Sequence, residues 1–152
     1  MNVQRFLQQK NIWFQRVEHE RTFTAQTMAH AIHVAESEVA KVVLLRADDG
    51  YVLAVLPAPH SVDMFRVKKL LGPESVELAS ESDCGHEFLD CEFGARLPFG
   101  SQYGLKTILD EMLMDDEEIV FEGNRHEETI RMKLEDYLSL ENPLVGRIAH
   151  PF

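Results

Sequence analysis

Val3, Phe6 and Leu7 recur at helical spacing and predict a short helix over residues 2–9. The aromatic and β-branched run 12–17 predicts a strand. Thr24 is a good N-cap for a helix in which Ala25, Met28, Ala29 and Ile32 follow the i, i+3, i+4, i+7 pattern, and a second helical piece is expected to start near Ser37. Residues 41–45 then form a continuous apolar run, the pattern of a strand covered on both faces. Asp48-Asp49-Gly50 supplies hairpin turn chemistry, 51–56 is the returning strand, and Pro57 and Pro59 stop it. Ser61 is the expected cap of a helix carrying Met64, Val67, Leu70 and Leu71 inward, ended by Gly72 and Pro73.

Further along, 75–78 predicts a short strand and Ser80 a helix cap, whereas 107–113 fits helix or strand equally. Residues 118–122 form a strand with charged ends and 123–125 a turn. Ile130, Met132 and Leu134 alternate with polar residues in another strand. A last helix over 135–140 ends at Asn142-Pro143, and the tail 145–152 predicts no element. There is no internal repeat, low-complexity segment or linker. One compact α/β (α+β) domain over residues 1–152 is therefore expected, a size that can bury roughly 70% of its unfolded surface.

Composition narrows the function classes. The 45% hydrophobic and 27% charged content are ordinary for a globular chain, and no apolar run approaches the ~20 residues that cross a bilayer. The polar start, 1–10, lacks a signal-peptide core, and the two cysteines, Cys84 and Cys91, give no disulfide framework; reduced thiols in the cytoplasm are expected. A net charge of −11 argues against gripping long stretches of DNA or RNA, though not against admitting the end of a nucleic acid into a pocket. Much of the acidic excess lies at Asp115-Asp116-Glu117-Glu118 and Glu127-Glu128, and such runs are usually solvated surface.

The stretch from Phe93 to Gly104 holds three of the eight glycines, Gly94, Gly100 and Gly104, with Pro98 among them. It predicts a stiff loop with free amide groups at its glycines; alone, such a loop is most often a connector. Lys41 opens an apolar strand, an odd place for an ammonium: either its stem covers apolar surface while its head reaches water, or it is a pocket cation. His126, just after the Gly123 turn, matches the parity of Ile130 and Met132 and is either a hydrogen-bonded core residue or a pocket-mouth side chain. His30 with His33, and Cys84-Gly85-His86 with Cys91, lack the spacing of a zinc site, so no metal or other cofactor is expected. There is no G-x-S-x-G elbow and no P-loop.

The order of these features resembles a known family. A Thr24-Ala25 helix precedes Lys41 at the head of an apolar hairpin; Gly94-x-x-x-Pro98-x-Gly100 follows, then Gly123-x-x-His126 before the Ile130 strand. Over residues 19–140 this resembles the YbaK/EbsC-type, or prolyl-tRNA synthetase-associated, editing domain. The resemblance implies a mixed, barrel-like central sheet surrounded by helices. It implies a free-standing deacylase for mischarged aminoacyl-tRNA, such as tRNA(Pro) carrying alanine or cysteine.

It places the catalytic positions at Lys41, Gly94 and His126; Gly100, Pro98 and Gly123 are expected to shape the substrate site. The implied partner is the acceptor end of aminoacyl-tRNA, helped by a synthetase or elongation factor. Val42 after Lys41, and Asn124-Arg125 before His126, depart from relatives and leave the amino-acid specificity open. Two other readings stand beside this one: a non-catalytic module that binds aminoacyl-tRNA or a nucleotide-like ligand, and a hydrolase of another small acyl ester.

Overall fold

A computed structural model describes residues 1–92 and 94–150. Phe93, at the head of the glycine loop, and Pro151 and Phe152, at the end of the tail, lie outside the described residues. Two sheets carry the fold. In the first, β1 (Phe14–Glu18), β7 (Glu128–Lys133) and β6 (Glu118–Glu122) are antiparallel in the order β1-β7-β6.

The second runs β4-β2-β3-β5-β8 and is built on the hairpin of β2 (Ala40–Ala47) and β3 (Gly50–Pro57). β4 (Val76–Leu78) pairs antiparallel with β2, whereas β5 (Lys106–Asp110) and β8 (Leu144–Gly146) extend the other edge in parallel. A single parallel bridge, Val39 to Val120, joins the two sheets, so the expected α/β architecture with a mixed sheet is present but does not close into a barrel among the described residues.

The apolar run of β2 is covered on both faces, as its pattern requires. One face of the hairpin, with Leu45, Val52 and Ala54, packs against Val67 of α3 (Met64–Leu71). Val42, Leu44 and Leu53 pack against Cys84 of α4 (Glu81–Glu87) and Phe88. The largest cluster unites the sheets: Val55 and Leu109 meet Phe121, Ile130 and Met132, with Val3 and Leu7 of α1 (Val3–Gln9) and Tyr137 of α5 (Leu134–Glu141) closing it. Phe99, from the glycine loop, sits at its centre with ring centroids 5.3 Å from Tyr137, 5.5 Å from Phe6 and 5.8 Å from Phe121. Edge-on aromatic contacts of this kind add to the area each ring buries.

Three sequence expectations change. The first strand begins at Phe14, leaving Trp13 exposed. Asp63, not Ser61, caps α3, accepting from the Arg66 N–H at 3.2 Å. The segment before it is tied to the C-terminal tail by the Val62–Ala149 bridge and by a 2.8 Å bond from the His150 N–H to the Ser61 carbonyl, so the helix cannot start earlier. The tail, which showed no pattern, supplies β8. A three-residue parallel edge strand is too short to display a period.

Asp110, at the end of β5 and 1% exposed, locks that tail. Its Oδ1 accepts from the Ile148 and Ala149 N–H groups at 2.9 and 3.0 Å, and its Oδ2 from the Met112 N–H at 3.0 Å. Asp110→Ala strands two buried donors, the Ile148 and Ala149 N–H groups, and the part-buried Met112 N–H, and each stranded buried donor costs about 1–3 kcal/mol. A net loss of about 3 kcal/mol should lower the melting temperature by roughly 6–12 °C for a chain of this size. Thermal unfolding followed by circular dichroism checks this, and an unchanged midpoint would contradict it.

Candidate active site

A cavity of about 270 Å³ opens where the head of β2 meets the glycine loop, the end of β6 and α2 (Ala25–Ala31). Thr24 fixes that helix by a reciprocal cap, its hydroxyl accepting from the Thr27 N–H at 3.1 Å. The wall is part apolar, from Met28, Ala40, Val42 and Ala58, and part charged, from Lys41, Arg96 and Glu122.

Lys41 faces Leu56 across the hairpin and is half-buried. Its ammonium makes no salt bridge to a described carboxylate, and burial alone pushes its pKa below the ordinary lysine value. An ammonium that gives up water without a counter-charge is poised for an oxygen-bearing ligand. Arg96 lines the same cavity, held by a 3.1 Å bond from its Nε to the Val42 carbonyl.

Gly94 lines the same cavity with φ +88°, a backbone conformation that side chains rarely adopt. Its N–H donates to no acceptor among the described residues, whereas the next amide, that of Ala95, is already bonded to the Glu92 carbonyl at 2.8 Å. The imidazole of His126 lies behind Gly94: a Cβ there would stand 3.5 Å from Cε1 and 3.6 Å from Nε2. His126 is 2% exposed and packs against the ring of Phe23 at 4.9 Å between centroids. It therefore backs the cavity rather than lining it.

Its Nδ1 is 3.1 Å from Oε2 of Glu122, which does line the cavity. Burial raises the Glu122 pKa; its contact with His126 and the Arg96 charge draw it part of the way back down.

The turn that delivers His126 is fixed by buried polar groups. Glu128, 4% exposed, accepts from Arg16 Nε at 3.1 Å, from Gln4 Nε2 at 3.0 Å and from the Asn124 N–H at 3.2 Å. A Cβ at Gly123 would collide with this carboxylate, so the backbone can approach it only at glycine. Asn124 accepts from the Val3 N–H at 2.9 Å and donates to the Met1 and Asp90 carbonyls. Gly123 thus acts on the turn.

Pro98 and Gly100 likewise sit away from the cavity. The Pro98 carbonyl accepts from the Tyr137 hydroxyl at 2.6 Å, and the Gly100 N–H donates at 3.0 Å to Thr107, whose hydroxyl donates to Glu141 at 2.6 Å. Of the six residues singled out by sequence, Lys41 and Gly94 line one cavity, His126 stands behind it, and the other three hold backbone. Arg96, Glu122 and Phe23 were not singled out. The available signals were the i, i+4 spacing of Glu122 and His126, the single base inside the glycine loop, and the aromatic residue just before the Thr24 cap.

Residues 19–140 match the model of the aminoacyl-tRNA editing domain family. A proline–tRNA ligase of Bacillus velezensis is 33% identical over 86 residues, 57% of this chain and 15% of the ligase. One of Bacillus pumilus is 40% identical over 60 residues, 40% of this chain and 11% of the ligase. The chain thus matches only a small part of the length of these curated relatives.

The crystal structure of a proposed trans-editing enzyme for prolyl tRNA synthetase superposes with a TM-score of 0.85 at 21% identity, covering 97% of this chain and 94% of that one. The hypothetical protein APE2540 gives a TM-score of 0.88 at 17% identity over 97% and 99%. At these identities the two structures show a shared fold.

The Lys41 charge, without a salt bridge to a described carboxylate, makes a stability prediction. Lys41→Met keeps the stem and removes the charge, so its melting temperature at neutral pH should exceed that of the wild type. The folded chain holds the Lys41 proton less tightly than the unfolded chain does. Wild-type stability therefore recovers as pH rises from the lowered folded pKa to the ordinary lysine value, and the gap between the two proteins should narrow there. A lower midpoint for Lys41→Met at neutral pH would contradict the reading.

Proposed function

Since the chain belongs to the aminoacyl-tRNA editing domain family, we propose that it is a trans-acting deacylase that hydrolyses the ester of mischarged tRNA, with tRNA(Pro) bearing a small amino acid as the first substrate to test. The observation that carries this reading is the half-buried ammonium of Lys41, with no salt bridge to a described carboxylate, sharing a small cavity with Gly94, whose N–H has no acceptor among the described residues. An ester already reacts with water, so catalysis needs positioning and charge stabilisation more than a covalent nucleophile. The Gly94 N–H donates to the carbonyl oxygen as it becomes an oxyanion, and Lys41 supplies the nearby positive charge.

Glu122 accepts from the α-ammonium group of the aminoacyl moiety, and His126 orients Glu122 from behind. Water adds to the carbonyl carbon, the bond to the ribose oxygen breaks, and that oxygen leaves with a proton. The ribose 2′-hydroxyl next to the ester is the expected activator of the water. A cavity of 270 Å³ is below the usual range for small-molecule sites and suits a short side chain. Steric exclusion then removes larger cognate residues, which a binding preference of about 1–3 kcal/mol per methylene could not do. The cell compartment for this activity is the cytoplasm, where charged tRNA is made, and the acceptor end is the part of the tRNA that is gripped.

Deacylation of tRNA(Pro) bearing alanine, cysteine and serine tests the proposal. At least one should be hydrolysed above background, and Lys41→Ala should lower kcat/KM by about 100-fold, the usual cost of one lost oxyanion partner, while Gly94→Ala, which strains the φ +88° backbone that aims the N–H, should also lower it. Hydrolysis of none, or full activity in Lys41→Ala, would overturn it. Few phosphates can be neutralised by so acidic a chain. The logarithm of affinity should therefore fall with the logarithm of salt with a slope no steeper than about −2, at roughly −0.7 per contact. A much steeper slope would mean an extended tRNA footprint.

A further inference from the structure

The segment ahead of α2 is tied to the turn that carries His126. The His19 N–H donates to the Glu127 carbonyl at 2.9 Å, and the Thr22 N–H to the His126 carbonyl at 3.2 Å. On the other side, Glu92 opens the tight turn that contains Gly94, its carbonyl accepting from the Ala95 N–H at 2.8 Å. The Arg21 side chain reaches both. It forms a salt bridge to Oε1 of Glu92 and another, at 2.7 Å, to Oε1 of Glu127. Its guanidinium also lies over the ring of Phe23, 5.3 Å from the centroid, and that ring lines the cavity and packs against His126.

We propose that Arg21 is a positioning residue for the candidate active site: it clasps the Gly94 turn to the His126 turn and balances the two carboxylates beside the cavity. This rests on the deacylase reading, because it says how the groups assigned to the substrate are held in place and kept in the right charge state.

Geometry and charge both lead there. A planar guanidinium can meet two carboxylates through its fork of N–H donors and stack on an aromatic face at once, whereas a lysine offers only a point charge. Arg21 is half exposed, and exposed ion pairs add little to overall stability. What this set of contacts fixes is the placement of one turn relative to the other. A shift of about 1 Å at a reacting group can cost about 100-fold in rate. The charge argument runs through Glu122, which lies 3.1 Å from His126, has the Arg96, Glu127 and Cys91 groups near it, and shares the cavity with Lys41. Burial raises the Glu122 pKa, and the Glu127 charge adds to the rise. Arg21, seated on Glu127, offsets that repulsion; without it Glu122 keeps its proton to higher pH and loses its grip on an α-ammonium group there.

The test compares Arg21→Gln, Arg21→Lys and the double variant Arg21→Gln/Glu127→Gln with the wild type. Carbon-labelled carboxyl groups in the full-length protein let the Glu122 titration be read by NMR without any substrate. In Arg21→Gln its midpoint should move to higher pH; Arg21→Lys, which restores the charge, and the double variant, which removes both partners, should each bring it back towards the wild type. The melting temperature of Arg21→Gln should fall by no more than about 4 °C, as expected for exposed ion pairs. On a tRNA that the wild type deacylates, Arg21→Gln should lower kcat by about 10-fold or more with little change in KM, and the acid limb of its pH–rate profile should move up with Glu122. Arg21→Lys should recover part of that kcat. An unmoved Glu122 midpoint, or full kcat, in Arg21→Gln would overturn the assignment. If the wild type deacylates tRNA and Arg21→Gln matches it in midpoint and kcat, this inference falls and the deacylase reading stands. If the midpoint moves and Arg21→Lys restores it but no tRNA is deacylated, the Arg21 clasp stands and the hydrolytic reading falls.

Discussion

The candidate site depends on a loop that is anchored at the end away from it. Phe99 is buried among Phe6, Phe121 and Tyr137, the Pro98 carbonyl is held by Tyr137, and the Gly100 amide joins Thr107 and Glu141 in a buried network. Once those contacts form, the chain from Gly94 to Arg96 has little freedom. Losing a phenylalanine of this kind from a core costs about 3–5 kcal/mol, so the anchor is strong enough to hold a backbone in a conformation that it would not otherwise choose. Gly94 at φ +88° and the Arg96 side chain are delivered to Lys41 by packing several residues away.

The same division of labour appears on the opposite wall. Glu128 and Asn124 are buried and fully engaged, and they fix the turn that places His126 behind Gly94 and against Glu122. Polar groups that are satisfied hold shape. Lys41 has no described carboxylate partner, and in the proposed reading it is the group that meets the substrate. The cavity thus holds a cation without a salt bridge to a described carboxylate, which fits the proposed functional reading.

Much of this was legible in the sequence. The β2–β3 hairpin, the Thr24 cap and the strand 118–122 follow from local pattern, because each buries a face with a clear period. Lys41 stood out because an ammonium at the head of an apolar strand is anomalous. Gly100, Pro98 and Gly123 drew attention for a real reason, their backbone constraints, but those constraints serve packing against Thr107, Tyr137 and Glu128 that only the tertiary structure reveals. Glu122 read as the polar end of a strand, since nothing in its local pattern says that His126 folds back onto it. The tail strand β8 and the Asp110 lock depend on contacts between distant segments and leave almost no local trace.

The central claim is that Lys41, a cation with no described carboxylate partner, meets the substrate. It is tested most directly by titrating the Lys41 side-chain resonance in the presence of adenosine 5′-monophosphate that carries alanine at its 3′ position through a non-hydrolysable amide. Binding should shift that resonance saturably and raise the Lys41 pKa towards or above the ordinary lysine value, because an anionic ligand stabilises the ammonium. A ligand that binds while the Lys41 resonance and its pKa stay where they are in the free protein would contradict the account.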